Sequence, residues 1–206
     1  MMIKKLALTL VVLTSSLVVS AQVKMAEVFR TMPDSIVRLL TDNDRMDLLD
    51  FAESNMTARV TNRLDGKSTL NILTDDYLHL TVTTLSSLQM RLFPLNDGRQ
   101  AVVVVKTVAG PAKDSILKIY TSDWSEQLEM EQHVTAPSLD AYWTKPFDEM
   151  TEEELQVVRL LDPVLIQISL SAERNGILFQ RSFGMLAKAD QPQAEKLLRS
   201  IEVSWK

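Results

Sequence analysis

The sequence predicts an α+β domain: an antiparallel β-sheet meander packed by N-terminal helices and by a later capped helix. Three observations predict it. Apolar residues near the start recur at helical spacing, the middle of the chain switches to twofold alternation broken by short turn signals, and a capping box marks a helix start at Thr151.

The first 21 residues are read apart from that domain. Lys4 and Lys5 give a positive start, an apolar stretch runs from Leu6 to Val19, and Val19-Ser20-Ala21 places small residues before Gln22. That three-part pattern is expected of a signal peptide cleaved after Ala21. Thr14, Ser15 and Ser16 interrupt the stretch, which falls short of the ~20 apolar residues that span a bilayer, so no stable membrane span is expected after cleavage. The expectation is an exported protein of the periplasm, the outer membrane or the cell surface, with residues 22–206 forming one globular domain.

Within that domain, Met25, Val28, Phe29 and Met32 follow the i, i+3, i+4, i+7 spacing of one helical face. Pro33 then suits a first helical turn, which predicts a second short helix carrying Ile36, Leu39 and Leu40. A third is predicted from about Asp42 to Asn55, with Met46, Leu49, Ala52 and Met56 inward and acids in its first turn. From Thr57 the period is two. Leu78, Leu80 and Val82 alternate with polar neighbours, as do Leu88, Met90 and Leu92, which predicts half-buried strands. Asp65-Gly66, Asp75-Asp76, Asp97-Gly98 and Ala109-Gly110-Pro111 separate them as hairpin turns do.

Ala101 to Val105 is apolar on both faces, so a cover is expected on each side of the sheet there. Ile116 to Tyr120 and a weaker alternation at Leu128 and Met130 extend the meander. Thr151 with Glu154 forms the capping box, and Met150 with Leu155 the hydrophobic staple of the helix that Asp162-Pro163 ends. Val164, Ile166, Ile168 and Leu170 share a strand face, Asn175-Gly176 turns the chain, and Ile177 with Phe179 return it. A helix near Pro192 to Arg199 and a strand at Ile201, Val203 and Trp205 close the chain.

The composition limits the chemistry. Of 206 residues, 46% are hydrophobic, which suffices for a packed core, and the formal charge is −5, which becomes −7 when Lys4 and Lys5 leave with the leader. An acidic surface repels phosphate backbones, so nucleic acid is not an expected partner. No cysteine exists, which removes disulfides, thiolate chemistry and an N-terminal lipid anchor on sulfur.

No catalytic, cofactor-binding or metal-ligating residue is assigned. The two histidines, His79 and His133, stand in separate segments without ligand partners at suitable spacing. Asp42-Asn43-Asp44 with Asp47 and Glu53 superficially suggests a calcium loop, but Asp47 stands where that loop needs glycine, and helical periodicity runs through it. No Gly-x-Ser-x-Gly elbow or phosphate-cradling loop can be built from five scattered glycines, and Glu152, Glu153 and Glu154 sit where helix dipoles favour acids. Trp124, Tyr142 and Trp143 suit the pinning of an irregular segment to the core better than a ligand cleft. The triplets Asp34-Ser35-Ile36 and Asp114-Ser115-Ile116 resemble a short acceptor motif for O-glycosylation in exported Bacteroidales proteins.

The runs Met32-Pro33-Asp34-Ser35 to Leu40-Thr41, Asp47-Leu48-Leu49-Asp50-Phe51, Val60-Thr61-Asn62, Leu73 to Leu78 and Thr107 to Ala112 together resemble an uncharacterised Bacteroidales family of exported proteins, a domain of unknown function. The resemblance covers most of the expected mature chain. It implies an envelope or secreted location and carries over no site residue. The functional expectation is a non-enzymatic binding or interaction module for a protein, glycan or lipid partner. Its alternatives are a periplasmic carrier of lipid or lipoprotein, with a cavity lined by Leu80, Val82, Met90 and Leu92, and a hydrolase whose site is assembled from scattered residues.

Overall fold

The computed structural model describes residues 22–206, and the expected leader lies outside the described residues. Helix α1 (Met25–Arg30) forms on the predicted spacing, and Met25, Val28, Phe29 and Met32 are all buried. Helix α2 (Asp42–Glu53) is capped by Thr41, whose hydroxyl accepts from the Asp44 amide while the Asp44 carboxylate accepts from the Thr41 amide at 2.7 Å.

The segment between them corrects the second predicted helix. Residues 33–40 form two single turns, Ile36 N–H to Pro33 C=O and Leu40 N–H to Val37 C=O, rather than a helix. The physical reason is a set of tertiary partners that compete with helical bonds. Lys106 donates to the Ile36 carbonyl at 2.9 Å, and Asp34 is drawn to Arg45 and Arg63. Those turns bury Ile36, Val37 and Leu40 together, while Leu39, expected inward, is only partly buried.

The inward face of α2 also differs from expectation. Arg45, Leu48 and Leu49 are buried, whereas Met46 and Met56 are 43% and 60% exposed. Arg45 heads the buried stripe because Asp34, at 2.9 Å, and Asp42 both receive its guanidinium. A charged residue paired in this way is invisible to hydropathy.

Seven antiparallel strands follow in chain order: β1 (Arg59–Thr61), β2 (Lys67–Leu73), β3 (Tyr77–Thr83), β4 (Ser86–Pro94), β5 (Gln100–Ala109), β6 (Lys113–Thr121) and β7 (Gln127–Leu128). Each neighbour in sequence is a neighbour in space, as short hairpin turns dictate. After β7, a single-turn α3 (Met130–His133) takes Met130 out of the predicted alternation. Helix α4 (Glu152–Leu160) carries the predicted capping box, with the Thr151 amide donating to Glu154 at 2.7 Å.

Strands β8 (Ile166–Ser169) and β9 (Gly176–Arg181), helix α5 (Gln191–Leu197) and strand β10 (Ile201–Ser204) complete the chain. These strands form a second antiparallel sheet in the order β10-β9-β8. Val164, expected on the β8 face, lies before the strand and is exposed.

The two-sided burial of β5 then has its explanation. Val102 and Val104 point into a core beneath α1 and α2, while Ala101, Val103 and Val105 point into another shared with Ile168, Leu170, Ile177 and Phe179 of the small-sheet region. Helices cover one face and the three-stranded sheet covers the other. Helix α4 packs one step outward, in a third cluster with Trp143, Leu186, Ala194 and Leu197.

Side chains of the large sheet close the outer edge of β8. The amides of Ile166, Ile168 and Leu170 donate to Asp114 at 3.2 Å, Ser115 at 3.0 Å and Gln89 at 2.8 Å. Alternate amides of an edge strand are thereby used up, so that edge offers no ladder for another chain to extend. Among the described residues, no helix is long and apolar enough to cross a membrane.

Candidate functional site

Arg91 organises the surroundings of a large open concavity. It sits on β4 among apolar neighbours, 3% exposed, and its guanidinium reaches the loop between β8 and β9. It donates to the carbonyls of Ser171 and Arg174, to Asp76 at 3.0 Å and to Asn175 at 2.9 Å. Five donors in a planar fork suit such a multiple grip, which a lysine point charge cannot make. The grip draws the loop towards the turn before β3, and an open cleft of about 650 Å³ lies beside it.

The cleft has three walls. Leu92, Phe93, Pro94 and Gln100 come from the ends of β4 and β5, Arg174, Asn175 and Gly176 from the loop, and Glu202, Ser204 and Trp205 from the chain end. Trp205 is fixed there: its indole N–H donates to the Pro94 carbonyl at 2.9 Å, and its ring lies nearly parallel to Phe93 and to His133, with centroids 4.6 and 4.9 Å away. Glu202 lies over Gly176, where any Cβ would meet its carboxyl. The charges are balanced, since Asp76 is held by Arg91 and Glu202 stands 3.8 Å from Arg174.

A smaller trough of about 270 Å³ opens between β8 and the polar half of the large sheet, lined by His79, Thr81, Ser87, Gln89, Thr107, Lys113, Gln167 and Ser169 among others. Burial holds the His79 imidazole below its usual range, and no charged group contributes to that shift. A histidine with a lowered folded pKa binds protons less readily than the unfolded chain does. Stability from this group is therefore present above the ordinary value of 6.5 and is lost as pH falls below it. Thermal melts between about pH 7 and 5 are expected to show a shallower acid-side decline for His79→Gln than for the parent. Parallel curves for the two proteins would remove His79 as the cause.

The remaining sequence candidates are dispersed. His133 stacks on Trp205, whereas His79 lines the trough, and among the described residues no cluster of metal-ligating side chains includes either. Asp42 and Asp44 are occupied by Arg45 and by the Thr41 cap, and Asp47 and Glu53 lie further along α2. Glu152 pairs with Arg159 at 3.0 Å, and Lys145 beside Glu154 is the chief cause holding that carboxyl below the usual range. Trp124 donates to the Val28 carbonyl at 2.9 Å, and Tyr142 and Trp143 are buried, the latter under the Arg181 guanidinium at 4.8 Å. These aromatics pin the fold. Ser35 is exposed on its turn, whereas Ser115 lies in the seam between the sheets, 2.8 Å from the Thr107 hydroxyl and accepting from Ile168.

Sequence reasoning missed Arg91 and the part played by Trp205. Arg91 reads as the polar member of an alternating strand, and only its company in Met90-Arg91-Leu92-Phe93 sets it apart. Trp205 reads as one more inward residue of a closing strand, with nothing local to tie it to Phe93 over a hundred positions earlier.

A comparison with curated proteins gives no match. Among solved structures, a domain of an uncharacterized protein from Porphyromonas gingivalis W83 is similar with a TM-score of 0.72 at 23% identity, over 88% of this chain and 92% of that one. At that identity the likeness is one of fold. The family described as Protein of unknown function (DUF3256) matches over residues 16–206, nearly the whole sequence, and the chain belongs to that family.

Proposed function

We propose that this chain is an exported envelope protein that binds an uncharged glycan in the Trp205 cleft and does not transform it. The observation that carries the reading is the cleft's chemistry: a rigid indole beside amide, hydroxyl and carboxylate groups whose charges cancel in pairs. Such a surface suits a neutral ligand rich in hydroxyls, because each planar polar side chain offers directional hydrogen bonds without a net field to select an ion. Export rests on the leader pattern of residues 1–21.

The rivals have less support. Leu80, Val82, Met90 and Leu92 are all buried beneath α1 and α2, so the sheet face an acyl chain would need is filled by the protein's own side chains. A hydrolase requires convergent titratable groups, yet the residues lining the His79 trough include no carboxylate, and Asp76 and Glu202 in the cleft each face an arginine.

An array of neutral oligosaccharides tests the reading. Saturable binding to at least one member is expected, with the number of reducing ends unchanged after prolonged incubation. Glu202→Gln and Arg174→Ala, both on exposed side chains, are expected to weaken it by about tenfold each with the melting temperature unchanged. Retention of no neutral glycan, or shortening of a retained one, would overturn it.

A further inference from the structure

A second surface, separate from the cleft, carries charge of the opposite sign to the chain as a whole. On β5 and β6, Lys106 faces Ile116 and Val104 faces Lys118, so the two lysines are diagonal neighbours on the face that α1 and α2 cover further along. The turn at Ile36, whose carbonyl receives Lys106, brings Arg38 to the same place. Burial, and after it Lys118 and Arg38, holds the Lys106 ammonium below its ordinary range, and no carboxylate is among the causes. Among the described residues, none of these three cations takes part in an ion pair.

Aliphatic side chains adjoin the cations. Val108 and Ile116 are diagonal neighbours on the same face, 60% and 61% exposed. Leu85, also 60% exposed, stands at the adjoining turn, where its carbonyl accepts from the Ala109 amide at 2.7 Å. Single exposed aliphatics are ordinary, but three beside three unpaired cations form a mixed surface. Asp114, the nearest acid on β6, is turned aside, its carboxylate accepting from the Ile166 amide.

We propose that the face made by Arg38, Lys106 and Lys118 with Leu85, Val108 and Ile116 docks on an anionic lipid surface. The cations alone would serve any small anion. The aliphatics decide the occupant, because a dissolved anion leaves them in water whereas a lipid interface takes phosphate-bearing headgroups and apolar side chains together. Charge complementarity on an otherwise acidic molecule orients the approach, with the acidic remainder held away from the surface.

Co-sedimentation of the full chain with vesicles of phosphatidylglycerol and phosphatidylcholine, against phosphatidylcholine alone, tests this. Every variant keeps residues 1–21, so differences between variants report on the patch. Partitioning is expected to favour the anionic vesicles and to fall about fivefold for each of Arg38→Gln and Lys118→Gln. Ile116→Ser is expected to weaken it further, while melting temperatures confirm that these exposed substitutions leave the fold intact. Equal partitioning to both vesicles, or no response to the cation variants, would overturn the proposal. So would complete competition by millimolar glycerol phosphate, which would assign the cations to a small anion.

Discussion

Replacing Arg91 by methionine is expected to lower stability towards urea by about 3 kcal/mol, the scale of breaking a buried charged network. The side chain is almost wholly enclosed and ties β4 to four groups on two other segments. Its loss leaves the Ser171 and Arg174 carbonyls and the Asn175 side-chain oxygen without their donor, and the loop they belong to must find order elsewhere. Asp76 is half-exposed and is rehydrated, which keeps the effect below that of a fully buried pair. For a chain of this size the melting temperature should fall by roughly 10 °C. Arg91→Lys is expected to recover little, because one ammonium cannot serve acceptors arranged for a fork. A change below about 0.5 kcal/mol would show that the loop is held by other contacts.

Val103→Asp and Val104→Asp are each expected to abolish folding, with the threonine variants measurable at about 1–3 kcal/mol apiece. The two valines point in opposite directions, Val103 towards the small sheet and Val104 towards the helices. A sheet with one wet face would tolerate one member of such a pair. Matched losses in chemical denaturation are therefore the signature of two dry faces, and a near-neutral Val103→Thr would mean that the small sheet does not seal its side.

Those two residues also show what local pattern can and cannot disclose. Five consecutive apolar residues in β5 announced two covers, because a strand has only two faces and both were apolar. The Thr151 box and the hairpin turns were readable for the same reason: each is decided by residues within a few positions of one another. The identity of the second cover was not local. Nothing within Val164 to Phe179 says that its strands form a separate sheet, since that depends on Ile168 and Phe179 meeting Val103 and Val105, far back in the chain.

Long-range charge pairing misled the sequence reading in the same manner. Pro33 to Leu40 carried helical spacing, but the Lys106 ammonium and the Arg45 guanidinium outcompeted helical bonds for its backbone and for Asp34. Met46 looked inward by period while Arg45, one residue earlier, took the core by pairing with acids. The cleft was illegible because its makers, Asp76, Arg91, Arg174, Asn175, Glu202 and Trp205, are spread over four segments and none is unusual in its own neighbourhood.

Chemical-shift mapping of an isotope-labelled sample, titrated with whichever neutral oligosaccharide the array retains, asks most directly whether the cleft is the binding surface. Shifts are predicted at the Trp205 indole, at the amides of Asn175 and Gly176 and at the Gln100 side chain, with the sugar recovered intact. Shifts centred instead on Leu80 and Met90 beneath the helices, or on the His79 trough, would contradict the account.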